Sequence, residues 1–308
     1  MAAAEITFHP NLTVRISSPW GFPVREDVAF TDSHGEENHR HIRRLQRALE
    51  KLQEPLARIL EPGETVLFCT RGQIIPDHPE RYLLGVQSHY LSPSALILTN
   101  RRFLQLSLKR NGRWRQNLRS ACWADVKASH ITGLLYGKLH LEFRQGAKET
   151  YWRISKDAAK KIQFLLGILL PASAGEAPQV PSVANLCPQC LTALAPGIFG
   201  CHHCQQQFKD EKTAVLLTLL VPGGGYFYVG YNLWGVYHAI IDVGLFLNAL
   251  LWLLLGLGII PLPSVPGARS GISTSFLLAA LSAALLALDT WLAIRVARKA
   301  VRNFIPQS

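Results

Sequence analysis

Charge is nearly absent from one long stretch of this 308-residue chain. Between Thr213 and Ile294 the only Asp, Glu, Lys and Arg residues are Asp242, Arg269 and Asp289, although the whole chain has 32 Lys or Arg and 21 Asp or Glu. So little charge cannot make a well-solvated surface, and we predict a transmembrane module over 213–297. The net charge of +11 is then concentrated on the soluble part and the tail. Such a basic balance suits anionic lipid or nucleic acid, and the predicted membrane module favours lipid.

Signals for secretion, disulfide bonding and catalysis are also missing. The first residues, MAAAEITFHP, lack a basic flank followed by an apolar core, so we expect no cleaved signal peptide. Two of the six cysteines, Cys69 and Cys122, are isolated in apolar runs and are predicted to be buried thiols. This cysteine usage is typical of a reducing compartment. We find no nucleophile–base motif, phosphate-binding loop or open metal shell, and predict that the chain is not an enzyme.

A dense group of cysteines is the clearest chemical signal that the sequence does contain. "CPQCLTALAPGIFGCHHC" has two C-x-x-C pairs separated by ten residues. Zinc prefers four thiolates in a tetrahedral shell, and a shell filled by protein leaves no open position, so we predict structural Zn²⁺. The segment 186–208 is too short to have its own core, and metal binding would supply its folding free energy. The predicted ligands are Cys187, Cys190, Cys201 and Cys204.

The cysteine segment resembles zinc ribbons, and Pro188 after the first cysteine fits that family. The spacer between the pairs is shorter than the common one, and Leu191 and Gln205 follow the pairs where a ribbon has glycine. Two other interpretations stay open. One is a Cys₃His shell that uses His202 or His203, and the other is redox chemistry at one C-x-x-C, around which no thioredoxin-like βαβ pattern is present.

A basic amphipathic helix is predicted over 36–60, after an irregular N-terminal segment, 1–35. Its apolar residues recur three and four positions apart and so share one helix face, while Pro55 is expected to kink or split the helix. The helix could pack on the protein with a solvated basic face, form a dimerising coiled coil, or lie on anionic lipid. The apolar residues are Ile42, Leu45, Leu49, Leu52, Leu56 and Ile59.

Short β-like runs dominate 61–170 and end in an amphipathic helix, "SKDAAKKIQFLLGILL". The Asn-Gly pair in "LKRNGRW" predicts a hairpin turn. "LEPGETVLF" and "ALILTNRRFLQL" resemble bacterial PH-like (GRAM-related) domains, which commonly carry a Pro-Gly-Glu stretch and a Leu-Thr-Asn-Arg-Arg strand. The resemblance implies a small β-barrel with a C-terminal helix, of a kind found in membrane-associated bacterial proteins. A linker rich in Pro, Ala and Ser, 171–185, is predicted to follow.

The predicted hairpin around the Asn-Gly pair is strongly basic and contains no acidic residue. Basic residues near a membrane surface each add about 1 kcal/mol to the attraction for anionic headgroups, so this hairpin is a candidate lipid- or partner-binding surface. Ordinary solvated arginines, or contact with nucleic acid or a protein, are the alternatives. The residues concerned are Arg101, Arg102, Lys109, Arg110, Arg113, Arg115 and Arg119.

Two apolar stretches, 233–260 and 273–294, are long enough to cross a bilayer. The stretch 213–231 is interrupted by Pro222 and three glycines, and we predict that it dips into the membrane or lies at its surface; three full crossings are the alternative. Basic residues collect near the tail, 298–308, so the positive-inside rule places the tail and the N-terminal domains in the cytoplasm. "PGGGYFYVG" resembles an element of small two-pass bacterial membrane modules, which often lie next to zinc ribbons.

Three polar residues fall within the predicted crossings: His238, Asp242 and Asp289. Ionisable groups are costly in lipid and face protein or water, and the two acids lie at similar depths if the crossings are antiparallel. His238 precedes Asp242 by one helical turn. We hypothesise a hydrogen-bonded or proton-sharing cluster, with either a structural role or a role in ion passage.

The fold class predicted from these features is a multidomain chain: a PH-like β-barrel with a C-terminal helix, a Cys₄ zinc ribbon and a transmembrane helical hairpin. The function predicted is a membrane-anchored scaffold or sensor at the cytoplasmic face of a bacterial inner membrane. Its expected partners are membrane lipids, anionic ones in particular, an unidentified protein and further copies of the chain. The alternative is a small oligomeric transporter or channel, or a subunit of one, that uses the intramembrane polar residues.

Overall fold

The chain divides into two compact units, Met1–Gln206 and Gln207–Ser308, which we call the sheet unit and the helical unit. They are seen in a computed structural model, which describes residues 8, 12–37, 39–74, 93–109, 111–173, 183–260, 272–302 and 304–307.

A large, almost entirely antiparallel sheet organises the first unit. Within the described residues its strands are β1 (Ile16–Ser17), β2 (Val24–Arg25), β3 (Val66–Ile74), β4 (Pro93–Thr99), β5 (Arg102–Leu108), β6 (Trp114–Cys122), β7 (Val126–Thr132), β8 (Gly137–Phe143), β9 (Lys148–Ile154), β10 (Val183–Leu186) and β11 (Ala193–Leu194). The order across the sheet is β11-β10-β6-β5-β4-β3-β9-β8-β7, with β2 parallel to β3 and β1 paired to β2. The end strands β11 and β7 do not pair with each other in the described part, so the sheet is open.

In the described part of the unit, the sheet is accompanied by the α-helices α1 (Glu26–Ala29), α2 (His39–Lys51), α3 (Gln53–Ile59) and α4 (Lys156–Ala172). The hairpin predicted from the Asn-Gly pair is confirmed, because β5 and β6 are antiparallel and Gly112 in the turn between them has a φ of +82°. Short elements also occupy the N-terminal segment predicted to be irregular. Both ends of the predicted linker 171–185 lie in regular structure, since α4 ends at Ala172 and β10 begins at Val183.

The central strands are buried on both faces. Side chains alternate along a strand, and on β4 Leu96 and Leu98 join one apolar core while Ala95 and Ile97 join another. The first core is closed by α4 through residues such as Ile162. The second is closed by α2 and α3. The sheet is therefore a middle layer with helices on each face.

The basic amphipathic helix packs its apolar face on the sheet and is split in two. Leu45, Leu49 and Leu52 are buried in the second core, along with residues of α3. α2 ends at Lys51, and Pro55 lies in the first turn of α3, where its missing N–H costs least. Because this face is covered within its own chain, it is not free to serve as the seam of a coiled coil.

The helical unit consists of α5 (Glu211–Leu220), α6 (Gly224–Tyr228), α7 (Asn232–Gly256) and α8 (Ile272–Val301) within the described residues. α7 and α8 are long and apolar enough to span a membrane, and only 6% and 17% of their most apolar windows are buried. Neither helix is therefore the buried core helix of a soluble domain. α5 has ten residues, about 15 Å of helix, and is too short to cross a core of about 30 Å.

The break between α5 and α6 depends on glycine. Gly223 has a φ of +67°, and a Cβ at this position would lie 2.1 Å from the carbonyl oxygen of Gly235 in α7. A side chain is thus excluded both by the backbone conformation and by the close approach of the two segments. At the far end of the unit, α8 continues to Val301, so the first residues assigned to the tail, 298–301, extend this helix.

Candidate metal centre

Two equivalent turns build the cysteine cluster, which we define as Cys187, Cys190, Cys201 and Cys204. In the first turn, Leu191 N donates to the carbonyl of Cys187, and Cys187 N donates to the carbonyl of Thr192, both at 2.9 Å. In the second, Gln205 N bonds the carbonyl of Cys201, and Cys201 N bonds that of Gln206, again at 2.9 Å. The repeated pattern places both sulfurs of each pair on one side of a tight loop.

Leu191 and Gln205 adopt the left-handed conformation, with φ of 61° and 59°. A non-glycine residue there costs about 1–2 kcal/mol, which explains why glycine is usual after the second cysteine of such a turn. The absence of glycine, noted in the sequence, therefore does not prevent the turns from forming. Leu191 offsets its cost by packing its side chain against the second core of the sheet unit.

The four sulfur atoms lie within 4.8 Å of one another. Cys187 Sγ is 3.5 Å from Cys204 Sγ, and Cys190 Sγ is 3.5 Å from Cys201 Sγ. A tetrahedral ion with bonds of about 2.3 Å requires sulfurs about 3.8 Å apart, so the arrangement fits a metal ion. The same distances are too long for disulfide bonds, and all four thiols are free. His202 and His203 are exposed and outside the group.

Hydrogen-bond donors surround the sulfurs. The N–H groups of Gln189 and Cys190 point to Cys187 Sγ, and Gln206 N–H points to Cys204 Sγ. Thr192 Oγ1 is 3.3 Å from Cys190 Sγ. Burial raises the pKa of the Cys187 thiol, and these donors act against that rise. Donors aimed at sulfur favour thiolates, which are the ligating form.

The cysteine cluster is attached to the edge of the large sheet. β10 pairs with β6 over four residues, from Val183 opposite Ala121 to Leu186 opposite Leu118. β11 then pairs with β10, and Leu186 and Leu194 are 8% and 6% exposed. The cluster is thus continuous with the sheet unit and not a separate small domain, which the sequence did not indicate.

The left-handed turns give a matched pair of substitutions. Gln205→Gly is expected to remove backbone strain at an exposed site and to raise metal affinity by about 1 kcal/mol, roughly fivefold. Leu191→Gly removes the same strain but loses core packing, so we expect no gain. Competition of the purified chain against a chromogenic chelator measures both. A larger gain from Leu191→Gly than from Gln205→Gly would contradict this account of the strain.

The basic residues predicted to face lipid do not share one environment. Arg102 is 8% exposed and donates to both carboxylate oxygens of Glu64, at 3.0 and 2.9 Å. Thr99 Oγ1 donates to the same carboxylate at 2.7 Å. Asn100 accepts from Thr65 N and donates to the carbonyl of Gly63. The Pro-Gly-Glu and Leu-Thr-Asn-Arg-Arg motifs are therefore joined by one hydrogen-bond network, which is buried at Glu64, Thr99 and Arg102.

Arg119 is also engaged inside the protein, where its side chain pairs with Glu149 and is 20% exposed. Arg115 is half-buried, and Arg110 lies outside the described residues. Arg101, Lys109 and Arg113 are exposed, with Arg101 3.4 Å from Glu61. Binding of lipid or a partner by this set stays a prediction, and it now depends on the exposed members.

The polar residues predicted to lie within the membrane come together in the helical unit. His238 Nδ1 lies 2.9 Å from Asp289 Oδ2, and Gly223 N–H donates to Asp242 Oδ2 at 3.1 Å. Asp242 lies close enough to Asp289 and His238 to interact with both. The sequence missed Tyr226, whose ring stacks on His238 with centroids 4.4 Å apart. Tyr226 lies in the glycine-rich element PGGGYFYVG, shortly before α7 begins, and this position was the only indication in the sequence that it could join the cluster.

The polar cluster of the helical unit, defined as Tyr226, His238, Asp242 and Asp289, has hydrogen-bonding capacity left over. Tyr226 Oη, His238 Nε2 and Asp242 Oδ1 are buried and have no hydrogen-bond partner among the described residues. Such atoms are expensive in a low-dielectric setting unless water or an ion contacts them.

The two remaining cysteines lie outside these sites. Cys69 is buried in the second core, and burial raises its pKa to about 12, whereas Cys122 is half-buried. Comparison of the chain with protein-family models, curated proteins and solved structures found no match.

Proposed function

We propose that the protein is a membrane-anchored scaffold or sensor, in which the sheet unit and its metal-bound cysteine cluster are held at the cytoplasmic membrane face to bind lipid or a protein partner. The observation that carries the proposal is the pairing of β10 with β6. It makes the cysteine cluster part of the sheet unit at the point where the chain turns to apolar helices. A metal ion there stabilises the cysteine segment at the edge of the sheet, where the segment has no apolar core of its own.

Zinc is the ion we assign to the cysteine cluster. Four thiolates at tetrahedral spacing suit Zn²⁺, which has no redox chemistry and commonly fills closed structural sites. Iron accepts the same ligands and is the outcome that metal analysis must distinguish. Four thiolate ligands leave no open position for water or substrate, which supports a structural role for the ion.

A PH-like architecture is proposed for the core of the sheet unit. Seven consecutive strands, β3 to β9, precede α4, and their spatial order is β6-β5-β4-β3-β9-β8-β7. Strands β3–β6 and β7–β9 are two antiparallel meanders joined through β3 and β9, with α4 against the first core. This order and the C-terminal helix support the resemblance to bacterial PH-like domains.

Placement in a bacterial inner membrane with both ends in the cytoplasm is likewise proposed. It is supported by the two long apolar helices and by the brevity of α5 and α6, which favours an even number of crossings. Basic residues Arg298 and Lys299 end α8, as expected on a cytoplasmic side. Free thiols in the cysteine cluster agree with a reducing compartment.

A small transporter or channel is the second candidate function. It is favoured by the unsatisfied buried atoms of the polar cluster, since such groups inside a membrane commonly mark ion or proton paths. Two crossings cannot enclose a pathway alone, so this function requires several copies of the chain.

Fractionation and proteolysis of vesicles that carry the full chain test the proposed function. We expect alkaline washing to leave the chain in the vesicle pellet, because α7 and α8 hold it in hydrocarbon. Protease should remove the sheet unit from inverted vesicles but not from right-side-out ones. Release by alkali, or digestion from the outer face, would overturn the proposal. Ion flux through vesicles of the purified protein, lost in Asp289→Asn, would instead establish the second candidate.

A further inference from the structure

The tip of the β7–β8 hairpin is strongly apolar and fully open to solvent. Leu134, Leu135 and Tyr136 are consecutive, and they are 85%, 76% and 56% exposed. Single exposed leucines are ordinary on a protein surface, but three large apolar residues in a row at a loop tip are not. Within the sheet unit no other turn described has such a run.

The backbone fixes this tip in place. Gly133 has a φ of +108°, and a Cβ there would lie 2.1 Å from the carbonyl oxygen of Tyr136, so the turn is tight. At the base of the hairpin, Thr132 is paired with Lys138. Gly137 is buried, and a Cβ added to it would meet Ala159 of α4 at 2.5 Å. The leucines therefore extend from a base that is paired within the sheet and packed on α4, and they lie outside the first core.

The charge near the tip has one sign. From Val126 to Leu141 the sequence contains Lys127 and Lys138 but no Asp or Glu. Glu142, the first acid after the tip in the sequence, lies at the opposite end of β8, where it contacts Lys127 and Lys148 at 3.7 and 3.8 Å, so the charged residue next to the tip is Lys138. An apolar tip with a tyrosine and a neighbouring lysine, Lys138, matches the composition of segments that lie at a lipid surface.

We infer that the β7–β8 tip inserts into the lipid surface of the membrane in which the same chain is anchored. This inference rests on the proposed function, and it names lipid as the partner of the sheet unit. Lipid is favoured over another protein because the chain passes from the sheet unit at Gln206 directly into the unit that carries two candidate spans. A bilayer is therefore always within reach, whereas a protein partner must be recruited.

The test places a photo-crosslinking benzoylphenylalanine at Leu135 in the full chain. The matched control carries it at Gln145, an exposed residue in the β8–β9 turn at the opposite end of β8. Both are reconstituted in vesicles of phosphatidylcholine and phosphatidylglycerol, irradiated, and analysed by intact-mass spectrometry for lipid adducts. We expect lipid adducts at Leu135 to exceed those at Gln145 about tenfold, and a Leu134→Asp substitution in the Leu135 protein to reduce them to the control level.

Three results would overturn the inference: equal adducts at the two positions, no adduct at Leu135, or a covalent dimer at Leu135 in place of lipid. Unchanged metal content and unfolding temperature in the Leu134→Asp protein exclude a folding defect, because the residue is at the surface. Alkaline washing of the same vesicles separates the two proposals. A chain that stays in the pellet without adducts refutes only the insertion of the tip, whereas a chain that is released refutes the proposed function.

Discussion

Replacing Cys187 with Ser in the full chain is expected to abolish stoichiometric metal binding and to unfold the cysteine segment. Cys187 is one of the two buried ligands, and a serine oxygen replaces a thiolate in a shell that the four sulfurs otherwise fill. Structural zinc sites contribute about 10–16 kcal/mol to the folding of small domains, so the substitution should remove most of the folding free energy of this segment. Metal analysis should fall from roughly one ion per chain to a small fraction.

Cys122→Ser is the matched control, since Cys122 is a half-buried thiol outside the cysteine cluster and should leave the metal content unchanged. Hydrogen exchange adds a structural readout: the amides of β10, paired with β6, should lose protection in Cys187→Ser and keep it in Cys122→Ser. A Cys187→Ser protein with full metal content would show that the cluster does not hold the ion.

Arg102→Ala is expected to destabilise the sheet unit by about 3–5 kcal/mol, because it leaves the Glu64 carboxylate, 0% exposed, buried without its cation. Whole domains are stable by only about 5–15 kcal/mol, so much of the variant should be unfolded at moderate temperature. Trp123 reports the change by fluorescence, since its indole N–H bonds the carbonyl of Thr99 within the same network.

The neighbouring residue provides the control for this prediction. Arg101 and Glu61 are about half exposed, and Arg101→Ala should cost less than about 1 kcal/mol. Replacing both Glu64 and Arg102 with Leu should recover part of the loss, because no unpaired charge then remains. Equal destabilisation by Arg101→Ala and Arg102→Ala would mean that burial of an ion pair does not determine how much stability is lost when its arginine is removed.

The features that sequence could predict are those encoded locally. The two C-x-x-C pairs bring their sulfurs together through short turns, the Asn-Gly turn makes its hairpin, and the spacing of apolar residues from Leu45 to Ile59 identifies the face that is buried. The long apolar helices follow from composition alone. Counting from the predicted membrane boundary placed Asp242 and Asp289 at similar depths, and His238, one turn before Asp242, joined them in the predicted cluster; in the structure His238 contacts Asp289, 51 positions away.

The features that it could not predict depend on distant partners. Arg102 and Arg119 are basic side chains like the exposed Lys109 and Arg113. Only the tertiary structure shows that they form ion pairs inside the protein, with acids 38 and 30 positions away in the sequence. The first three residues of β10 fall in the linker predicted from its Pro, Ala and Ser content, because VANL has no strong strand signal and pairing with β6 determines its conformation. Local propensity does not report such contacts.

The pairing of β10 with β6 also has a consequence for the behaviour of the protein when metal is scarce. β6 is a nine-residue strand, and the four residues of β10 pair with part of its outer edge, while the two-residue β11 pairs with β10. If loss of the ion releases them, the backbone N–H and C=O groups of β6 become a template for intermolecular strand addition. Metal starvation would then drive self-association of the chain. The ion would therefore prevent aggregation as well as stabilise the cysteine segment.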